Sequence, residues 1–310
     1  MIVAFAGGVG GAKLAFGLYQ EVPLGELAVI VNTGDDLEMY GLHISPDLDT
    51  VMYSLAGIAN HITGWGIEGD TFYALKALAR YGEESWFGLG DQDLATHILR
   101  TKMLGEGQSL TAVTRSLAAR LGVKASLLPM CDQRVATVVE TPGGPLPFQD
   151  YFVRRGASDR VLGLRFEGVE RAKPTPEVER ALSTAELIVF APSNPFLSIQ
   201  PILAVPGLRG LLSKCPAPKV AVSPVIGGRA VRGPADRLLR DLGHEVSTFG
   251  VAKIYAGLVN SFVIDEVDRQ EAPRIEALGL RVLVTKTLMN SAEDKKELAR
   301  RTIRFALGKE

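Results

Sequence analysis

The sequence alternates short apolar runs with segments of helical spacing, and this alternation is what most restricts its fold. Each apolar run is followed by a loop rich in Gly, Pro, Asn or Asp. The runs are Ile2–Ala6, Leu27–Val31, Leu187–Ala191, Val220–Val222 and Arg281–Val284. The helices predicted between them include Lys13–Gln20, Glu177–Ser183 and Ala235–Leu242. Strands that alternate with helices form parallel sheets covered on both faces. The sequence therefore predicts an α/β protein with an open, mainly parallel sheet and flanking helices.

The middle of the chain departs from this alternation. Three stretches of helical spacing follow one another there, "DTFYALKALARYG", "DQDLATHILRTKM" and "SLTAVTRSLAARLG". We therefore predict a helical subdomain over residues 58–125, inserted into a core made of residues 1–57 and 126–310. A β-hairpin is predicted near 134–154, with "ATVVET" and "FQDYFV" as its strands. The charged segment from Ser291 onwards predicts an outer amphipathic helix.

Composition and charge narrow the class of protein. The 34 basic and 35 acidic residues give a net charge of −1, so no basic field favours nucleic acid or an anionic membrane. The only two cysteines, Cys131 and Cys215, lack metal-ligand spacing and indicate a reducing compartment. The apolar opening "MIVAFA" is too short for a signal peptide, and no later run has the length of a membrane span. We expect a soluble, cytoplasmic protein without nucleic-acid or membrane partners.

The first apolar run leads into "GGVGGAKL", residues 7–14. This stretch is not a Walker A loop, because Ala12 and Leu14 replace the second glycine and the magnesium-binding hydroxyl residue. It is not a dinucleotide fingerprint either, because Lys13 takes the place of the third glycine. It still combines a strand, a run of glycines and a helix N-terminus, which together favour an anion. The alternative is a glycine-rich turn that allows tight strand–helix packing.

Acidic residues cluster after the second strand, in "VNTGDDLEMYGLHISPDLDTVMY", residues 31–53. The carboxyl ends of strands in an open α/β sheet are where ligands bind. Clustered carboxylates need a cation or a proton, and oxygen ligands suit Mg²⁺. The polar residues of the stretch include Asn32, Asp35, Asp36, His43, Asp47 and Asp49. We favour a metal and ligand site over simple turn and cap roles for these aspartates. A dehydrogenase is disfavoured, because Asn32 stands where an acid would hold the ribose.

Three further stretches carry small polar or charged side chains. In "LGDQDLATHILR", residues 89–100, Asp91 can cap a helix whose polar face carries Asp93, His97 and Arg100. Two loops that follow apolar runs contribute Ser193 and Asn194, then Ser223, Gly227 and Gly228. Such loops suit a nucleotide crevice, although each alone is also typical of a turn. The histidines and cysteines do not assemble into a nucleophilic triad.

Taken in order, these motifs resemble the 2-phospho-L-lactate transferase family of coenzyme F420 biosynthesis. The resemblance runs from residue 7 to about residue 238 and also includes "WGIEGDTF", "LPMCDQRVATVVET" and "FQDYFVRR". "ISPDLDTV" and "GDQDLATH" are its most specific parts. It implies a Rossmann-like domain with a helical insertion and a homodimer. It also implies Mg²⁺-dependent transfer of a phospholactyl or related group from a guanylylated donor to the deazaflavin alcohol Fo, with release of GMP.

The resemblance assigns expected roles to particular residues. Asp49 and Asp36 are the candidate catalytic residues, and Asp36 and Asp47 are the candidate metal ligands. The expected Fo-binding residues are Asp49, Gly88, Asp91 and His97. The expected donor-binding residues are Gly8, Gly10, Gly11, Lys13, Asn32, Ser193, Asn194, Ser223, Gly227 and Gly228. Gly88 departs from the family pattern, which has a basic residue there, so a contact to the deazaflavin at this place falls to the backbone or another residue.

Two alternatives stay open from the sequence. One is a nucleotide-sugar-binding regulator of the gluconeogenesis-factor-like type, which shares the glycine loop and "NTGDD" but is expected to lack the deazaflavin site. The other is the disfavoured dehydrogenase. Within the transferase family, the donor acid is lactate, enolpyruvate or glycerate in type. These acids differ by one small group, which a pocket distinguishes by only a few kcal/mol, and the sequence does not locate the residues that sense it.

Overall fold

The structure is a computed structural model that describes residues 1–309. Its strands are β1 (Ile2–Ala6), β2 (Leu27–Val31), β3 (Leu37–Met39), β4 (Leu42–Ile44), β5 (Ser126–Pro129), β6 (Ala136–Thr141), β7 (Gly144–Pro147), β8 (Gly163–Glu167), β9 (Leu187–Phe190), β10 (Lys219–Val222), β11 (Val225–Ile226), β12 (Arg229–Ala230), β13 (Ser261–Ile264) and β14 (Arg281–Val284).

Its α-helices are α1 (Gly8–Glu21), α2 (Pro46–Ala56), α3 (Tyr73–Arg80), α4 (Asp91–Gly105), α5 (Leu110–Arg120), α6 (Pro176–Ser183), α7 (Gln200–Ala204), α8 (Leu208–Lys214), α9 (Ala235–Asp241), α10 (Thr248–Tyr255), α11 (Ala272–Glu276) and α12 (Ala292–Ala306). Short π-helical segments cover Asp150–Arg154 and Pro195–Ile199, and 3₁₀ segments cover Val169–Arg171 and Glu266–Glu271.

The central sheet has seven parallel strands in the order β14-β13-β10-β9-β1-β2-β5. This confirms the predicted α/β fold with an open parallel sheet. The strands on one side of β1 come from the N-terminal part of the chain, and β9 on its other side comes from much later. The order in which strands are added to the sheet therefore reverses between β1 and β9, and ligands bind at such switch points, beyond the carboxyl ends of the strands.

The strands are continuous apolar runs because both faces of the sheet are covered. In β1, Val3 and Phe5 enter one hydrophobic core, whereas Ile2, Ala4 and Ala6 enter a second core on the opposite face. Phe5 stacks on Phe190 of the neighbouring strand, with ring centroids 4.8 Å apart. The sheet is thus a layer between two cores.

Helices α1 and α12 lie together on one face of the sheet. A Cβ atom added to Gly17 of α1 would collide with the carbonyl oxygen of Lys295 in α12. The inward side of α12 is buried at Leu298, Ala299 and Thr302. The amphipathic segment predicted near the C-terminus is therefore a helix, as expected, and it packs closely against the helix that follows the glycine loop.

Two details differ from the predictions. The hairpin exists, but its second strand is Gly144–Pro147, while "FQDYFV" enters the π-helical segment. The reason is packing: Phe148 and Phe152 stack at 5.2 Å, and residues four apart are neighbours in a helix but lie about 13 Å apart along a strand. Strand β13 was not predicted, although its apolar residues Phe262–Ile264 equal the predicted run Val220–Val222 in number.

Helices α3, α4 and α5 occupy the region of the predicted insertion, residues 58–125. Within residues 1–309, no single helix is long and apolar enough to cross a membrane. Only the sharply bent pair Pro195–Ala204 and Leu208–Lys214 reaches that length and composition together. Its side chains Ile202 and Leu208 are fully buried in the core.

Candidate active site

A cavity of about 650 Å³ opens at the carboxyl ends of the parallel strands. Its wall is formed by the segments that follow β1, β2, β9, β10 and β14, and by parts of α2 and α4. The loop after β1 meets the loop after β9 at the switch point. There the Ser193 hydroxyl accepts a hydrogen bond from the Gly7 N–H at 3.1 Å and donates to the Gly7 carbonyl at 2.9 Å. The topology therefore places the glycine loop in the centre of the cavity floor.

The glycine loop both packs tightly and lines the cavity. Gly7 is the N-cap residue of α1 and has no side chain that could accept a hydrogen bond from the first turn. Gly8 has φ of +63°, a conformation that favours glycine. A Cβ atom on Gly11 would lie 2.5 Å from the Ser193 hydroxyl, and one on Gly10 would collide with the carbonyl oxygen of Pro192. Both interpretations of this loop from the sequence are therefore compatible with the structure. The N-terminus of α1 faces the cavity and favours an anion there.

Replacing Gly10 with alanine is expected to lower the free energy of unfolding by about 1–3 kcal/mol, because the new methyl group meets a backbone carbonyl that cannot rotate away. Urea unfolding measures the change. Gly105→Ala is the matched control, because its Cβ atom meets open space at the end of α4, and it should leave stability equal or higher. Equal stability of Gly10→Ala and wild type would contradict the packing described here.

Asp47 is held at the cavity wall by the glycine loop and by Asn32. Its carboxylate accepts from the Gly8 N–H at 2.7 Å and from the Asn32 side-chain amide at 3.0 Å. Burial raises the pKa of Asp47 to about 6, although these two hydrogen bonds favour the charged form. Asn32 also donates to the Leu197 carbonyl at 3.3 Å. It therefore supports Asp47 from behind and does not itself line the cavity.

The neighbours Asp35 and Asp36 face different surroundings. Asp35 lines the cavity, and its Oδ1 is buried without a hydrogen-bond partner within the described chain. Burial, and then the charge of Asp47, raises the pKa of Asp35 well above its usual range. Asp36 lies behind the wall, where it accepts from the Ser45 hydroxyl at 2.7 Å and lies 3.0 Å from His43 Nε2. Asp36 Oδ1 also lacks a hydrogen-bond partner, but Asp36 does not line the cavity. Asp35 and Asp47 are therefore the carboxylates of this cluster at the cavity wall, and within residues 1–309 neither forms an ion pair with a cation.

A second charged group joins α2 to α4. Arg100 is fully buried and donates to both oxygens of Asp49, with Nη1 at 3.0 Å from Oδ2. Nη1 also lies 3.2 Å from His97 Nδ1. Because a guanidinium only donates, Nδ1 accepts and the ring proton resides on Nε2. Nε2 lies 3.2 Å from Asp93 without forming a hydrogen bond, and Asp93 accepts from the Tyr53 hydroxyl at 2.6 Å.

This α2–α4 network contains a spatial group that matches metal-ligand geometry, formed by Asp49, Asp93 and His97. Arg100, however, already occupies the space beside Asp49 and His97 with a positive charge. Burial alone would raise the pKa of Asp93, yet its interaction with His97 lowers that pKa below the usual range. The network is therefore better described as a hydrogen-bonded support for Asp49 than as a metal site.

The acidic and basic side chains of the cavity lie on different segments. Four carboxylates line it, those of Asp35, Asp47, Asp49 and Asp93. The lysine and arginine side chains in the wall are Lys13 and Arg232. The Lys13 ammonium donates to the Met289 carbonyl at 2.8 Å, and burial, followed by the charge of Arg232, lowers the pKa of Lys13. A ligand with a phosphate group and a coordinated cation suits such a distribution.

An aromatic wall forms another part of the cavity, and the sequence motifs did not predict it. Its members are Trp65, Trp86, Phe87, Phe148 and Phe152. One signal was available, since both tryptophans of the chain lie within 22 residues of one another and both line this cavity. Gly88 lies against the wall, because a Cβ atom there would be 3.1 Å from the Trp65 ring. Aromatic side chains in such a wall favour a flat ligand.

The structure brings ten of the predicted site residues to the cavity wall. They are Gly8, Gly10, Lys13, Asp47, Asp49, Gly88, His97, Ser193, Asn194 and Ser223. Ser193 binds the glycine loop, and Asn194 accepts hydrogen bonds from the Phe196 and Leu197 N–H groups. The Ser223 hydroxyl donates to the Val225 carbonyl. Ser193 and Ser223 therefore shape the floor, whereas Asn194 Nδ2 has no hydrogen-bond partner within residues 1–309 and is a free donor at the cavity wall.

The other six predicted residues have different positions. Gly11 packs against Ser193, and Asn32 and Asp36 lie behind the wall as described. Asp91 was predicted to cap its own helix, but it accepts from the Tyr73 and Ala74 N–H groups and so caps α3. Asp70 caps α4 instead, through the Gln92 and Asp93 N–H groups. Gly227 and Gly228 form the turn between β11 and β12, which their positive φ values suit. Neither glycine lines the cavity.

Comparison with known proteins shows the family of the chain that forms this cavity. The family profile described as 2-phospho-L-lactate transferase CofD matches residues 2–300. The chain belongs to this family. It is therefore a transferase, and the predicted resemblance is confirmed.

The relatives carry two different names. The chain is 44% identical to the phosphoenolpyruvate transferase of Streptomyces griseus, with 98% of each chain covered. It is 43% identical to the 2-phospho-L-lactate transferase of Methanosarcina mazei, with 96% of this chain and 98% of that one covered.

A solved structure supports the fold. A member of the UPF0052 family from Bacillus halodurans matches with a TM-score of 0.63 at 17% identity, covering 97% of this chain and 98% of that one. At this identity the likeness concerns the arrangement of the chain alone.

Proposed function

We propose that the enzyme transfers a phospholactyl or phosphoenolpyruvyl group from a guanosine diphosphate-linked donor to the deazaflavin Fo, releasing GMP, in coenzyme F420 biosynthesis. The observation that carries the proposal is the combination within one cavity of a glycine loop, uncompensated carboxylates and an aromatic wall. The first two suit a phosphorylated donor with a metal ion, and the third suits a planar acceptor. Membership of the transferase family supports the same reaction class.

The donor would bind with its phosphates at the N-terminus of α1. Backbone N–H groups of Val9 and Gly10 lie there, beside the Gly8 N–H that donates to Asp47, and Lys13 lies in the same wall. A helix N-terminus and a nearby ammonium both stabilise phosphate oxygens, and their effect increases as charge spreads over them during transfer. No γ-phosphate is cleaved in this reaction, which explains why the loop does not need the Walker A pattern.

The carboxylates beside the glycine loop fit a magnesium ion. Asp35 has an oxygen without a partner, and burial raises the pKa values of both Asp35 and Asp47 in the absence of a cation. Mg²⁺ usually takes one or two carboxylates in addition to phosphate oxygens and water. We therefore propose Asp35 and Asp47 as its holders, in place of the pair Asp36 and Asp47 expected from the sequence. When bound, the ion would neutralise charge on the phosphoryl oxygens.

The acceptor would stack its ring system on the aromatic wall and direct its terminal ribityl hydroxyl towards Asp49. The acceptor oxygen forms a bond to the phosphorus that carries the acid, and the bond between that phosphorus and the GMP oxygen breaks. GMP leaves with the bonding electron pair, and the hydroxyl proton passes to the Asp49 carboxylate. Asp49 suits this position because Arg100 holds both of its oxygens from behind, which fixes the carboxylate at the wall.

The test is a turnover assay followed by mass spectrometry. Wild-type protein is incubated with Fo, Mg²⁺ and, in parallel, each of the lactyl, enolpyruvyl and glyceryl donors. A deazaflavin phosphodiester that appears together with GMP supports the proposal, and the donor that gives the largest kcat/KM identifies the acid. The two groups of relatives are almost equally similar to this chain, so all donors are needed. Absence of product with every donor, together with tight binding of a nucleotide sugar, would favour the regulator alternative.

Replacing Asp35 with asparagine is expected to raise the melting temperature of the metal-free protein at pH 8 by about 2–4 °C. The pKa of Asp35 is higher in the folded than in the unfolded chain, so the protonated side chain favours folding. This contribution is full below the usual Asp pKa and is lost as the pH rises through the folded-state pKa. Asparagine cannot ionise, so it avoids this loss, and the difference from wild type should vanish near pH 4. Thermal unfolding across this pH range measures it.

The same variant tests the metal ligand. Mg²⁺ should raise the melting temperature of wild type, because a ligand stabilises the state that binds it. The increase should be much smaller for Asp35→Asn. Glu179→Gln, an exposed substitution on α6 away from the cavity, should behave like wild type in both experiments. An equal Mg²⁺ shift in Asp35→Asn and wild type would exclude Asp35 as a holder of the ion.

A further inference from the structure

Arg232 lies at the mouth of the cavity, and its guanidinium contacts the backbone of the opposite rim. Nη2 donates to the Ile62 carbonyl at 3.0 Å, and Nη1 donates to the Thr63 carbonyl. Both carbonyls belong to residues 59–67, which we call the rim loop and whose ends pair through an isolated β-bridge. Arg232 therefore links the segment after β12 to a loop that precedes α3.

The rim loop contacts both ends of the cavity. A Cβ atom on Gly64 would lie 2.5 Å from Val9 of the glycine loop and 3.2 Å from Arg232 Nη1. The next residue, Trp65, belongs to the aromatic wall. A change at Arg232 can therefore reach the proposed donor end through Val9 and the proposed acceptor end through Trp65.

Arg232 has no charged partner in this position. Its two partners are neutral carbonyls, and within residues 1–309 no carboxylate lies within 4.0 Å of the guanidinium. Lys13, in the same wall, likewise donates to a carbonyl. The charge of Arg232 contributes, after burial, to the lowered pKa of Lys13, so the two cations act on one another. Two neighbouring cations without a counter-charge favour an anion between them.

A guanidinium has five N–H donors, and two of its nitrogens here contact the rim loop. The remaining N–H groups allow Arg232 to keep the rim loop and to bind a phosphate oxygen at the same time. Resting on the proposed function, we propose that Arg232 binds the phosphoryl group that is transferred and couples it to the rim loop. Donor binding then fixes Trp65 in the aromatic wall, so the acceptor binds more tightly after the donor.

Calorimetric titration tests this coupling. Fo is titrated into the protein with Mg²⁺, in the presence and absence of saturating GDP, which keeps both phosphates and lacks the acid. In wild type, GDP should lower the Kd of Fo about tenfold, within the usual range of coupling between two sites. In Arg232→Gln this ratio should fall to about one, and Arg232→Lys should give an intermediate value, because lysine keeps the charge but not the planar set of donors.

The matched control is Arg229→Gln, an exposed arginine of β12 three positions before Arg232 that does not line this cavity, and it should keep the wild-type ratio. Arg232 is itself exposed, so its substitution should leave the melting temperature unchanged. The same ratio in Arg232→Gln and wild type, or no coupling in wild type, would overturn the inference. If wild type turns over Fo while Arg232→Gln keeps its coupling, only this inference fails; if wild type makes no product with any donor, the proposed function fails with it.

Discussion

Replacing Asp49 with asparagine is expected to lower kcat by about 10³-fold, with little change in the affinity for GDP. The reason is that Asp49 faces the cavity while Arg100 holds it from behind, so it is placed to accept the acceptor's proton. Positioned acid–base groups typically contribute 10²–10⁴-fold, roughly, to rate. Steady-state kinetics with Fo and the preferred donor measure kcat, and calorimetry measures GDP binding.

A nearby aspartate on α4 provides the control for Asp49. Asp91 lies in the same motif as His97, but it caps α3 from outside the cavity. Asp91→Asn should therefore keep kcat within about twofold of wild type, because asparagine can still accept the N–H groups of α3. A kcat for Asp49→Asn close to that of Asp91→Asn would exclude Asp49 as the catalytic base.

Replacing Arg100 with methionine is expected to lower the free energy of unfolding by about 3–5 kcal/mol, because it leaves the buried Asp49 carboxylate without its partner. Methionine fills part of the same volume, so the loss is mainly electrostatic. Urea denaturation gives the change in the free energy of unfolding. Activity should also fall sharply, since nothing else in the network holds both oxygens of Asp49.

A double variant separates the lost charge pair from a simple packing defect. Asp49→Asn combined with Arg100→Met removes both charges, and it should be more stable than Arg100→Met alone by at least about 1 kcal/mol. If the double variant is the less stable of the two, the cost lies in packing, and the ion pair is not what joins α2 to α4.

Much of the fold was predictable because both faces of the sheet are covered. Continuous apolar strands such as Ile2–Ala6 and Leu27–Val31 have the predicted bounds. Short or mixed segments were less predictable. Ser261–Ile264 was missed although the predicted run Val220–Val222 is shorter, because so few residues distinguish a strand from a loop poorly. "FQDYFV" has aromatic residues at both strand and helix spacing, so only tertiary packing decides between them.

The candidate site was predictable in its chemistry but not in its details. The sequence indicated an acidic cluster beside a glycine loop, and Asp47 and Asp49 do lie at the cavity wall. Whether Asp35 or Asp36 faces the cavity depends on one backbone turn, which composition does not fix. The Asp49–Arg100 pair spans 51 positions of the chain, and the aromatic wall comes from separate loops, so neither follows from local spacing.

The central claim is that one cavity holds the donor phosphates at the glycine loop and the deazaflavin at the aromatic wall. A crystal structure with GDP, Fo and Mn²⁺ in place of Mg²⁺ tests it most directly. We predict the diphosphate at the N–H groups of Val9 and Gly10, the anomalous signal of the metal beside Asp35 and Asp47, and the ring system of Fo between Trp65 and Phe148. Fo bound outside this cavity, or a metal between Asp93 and His97 with none beside Asp47, would contradict the account.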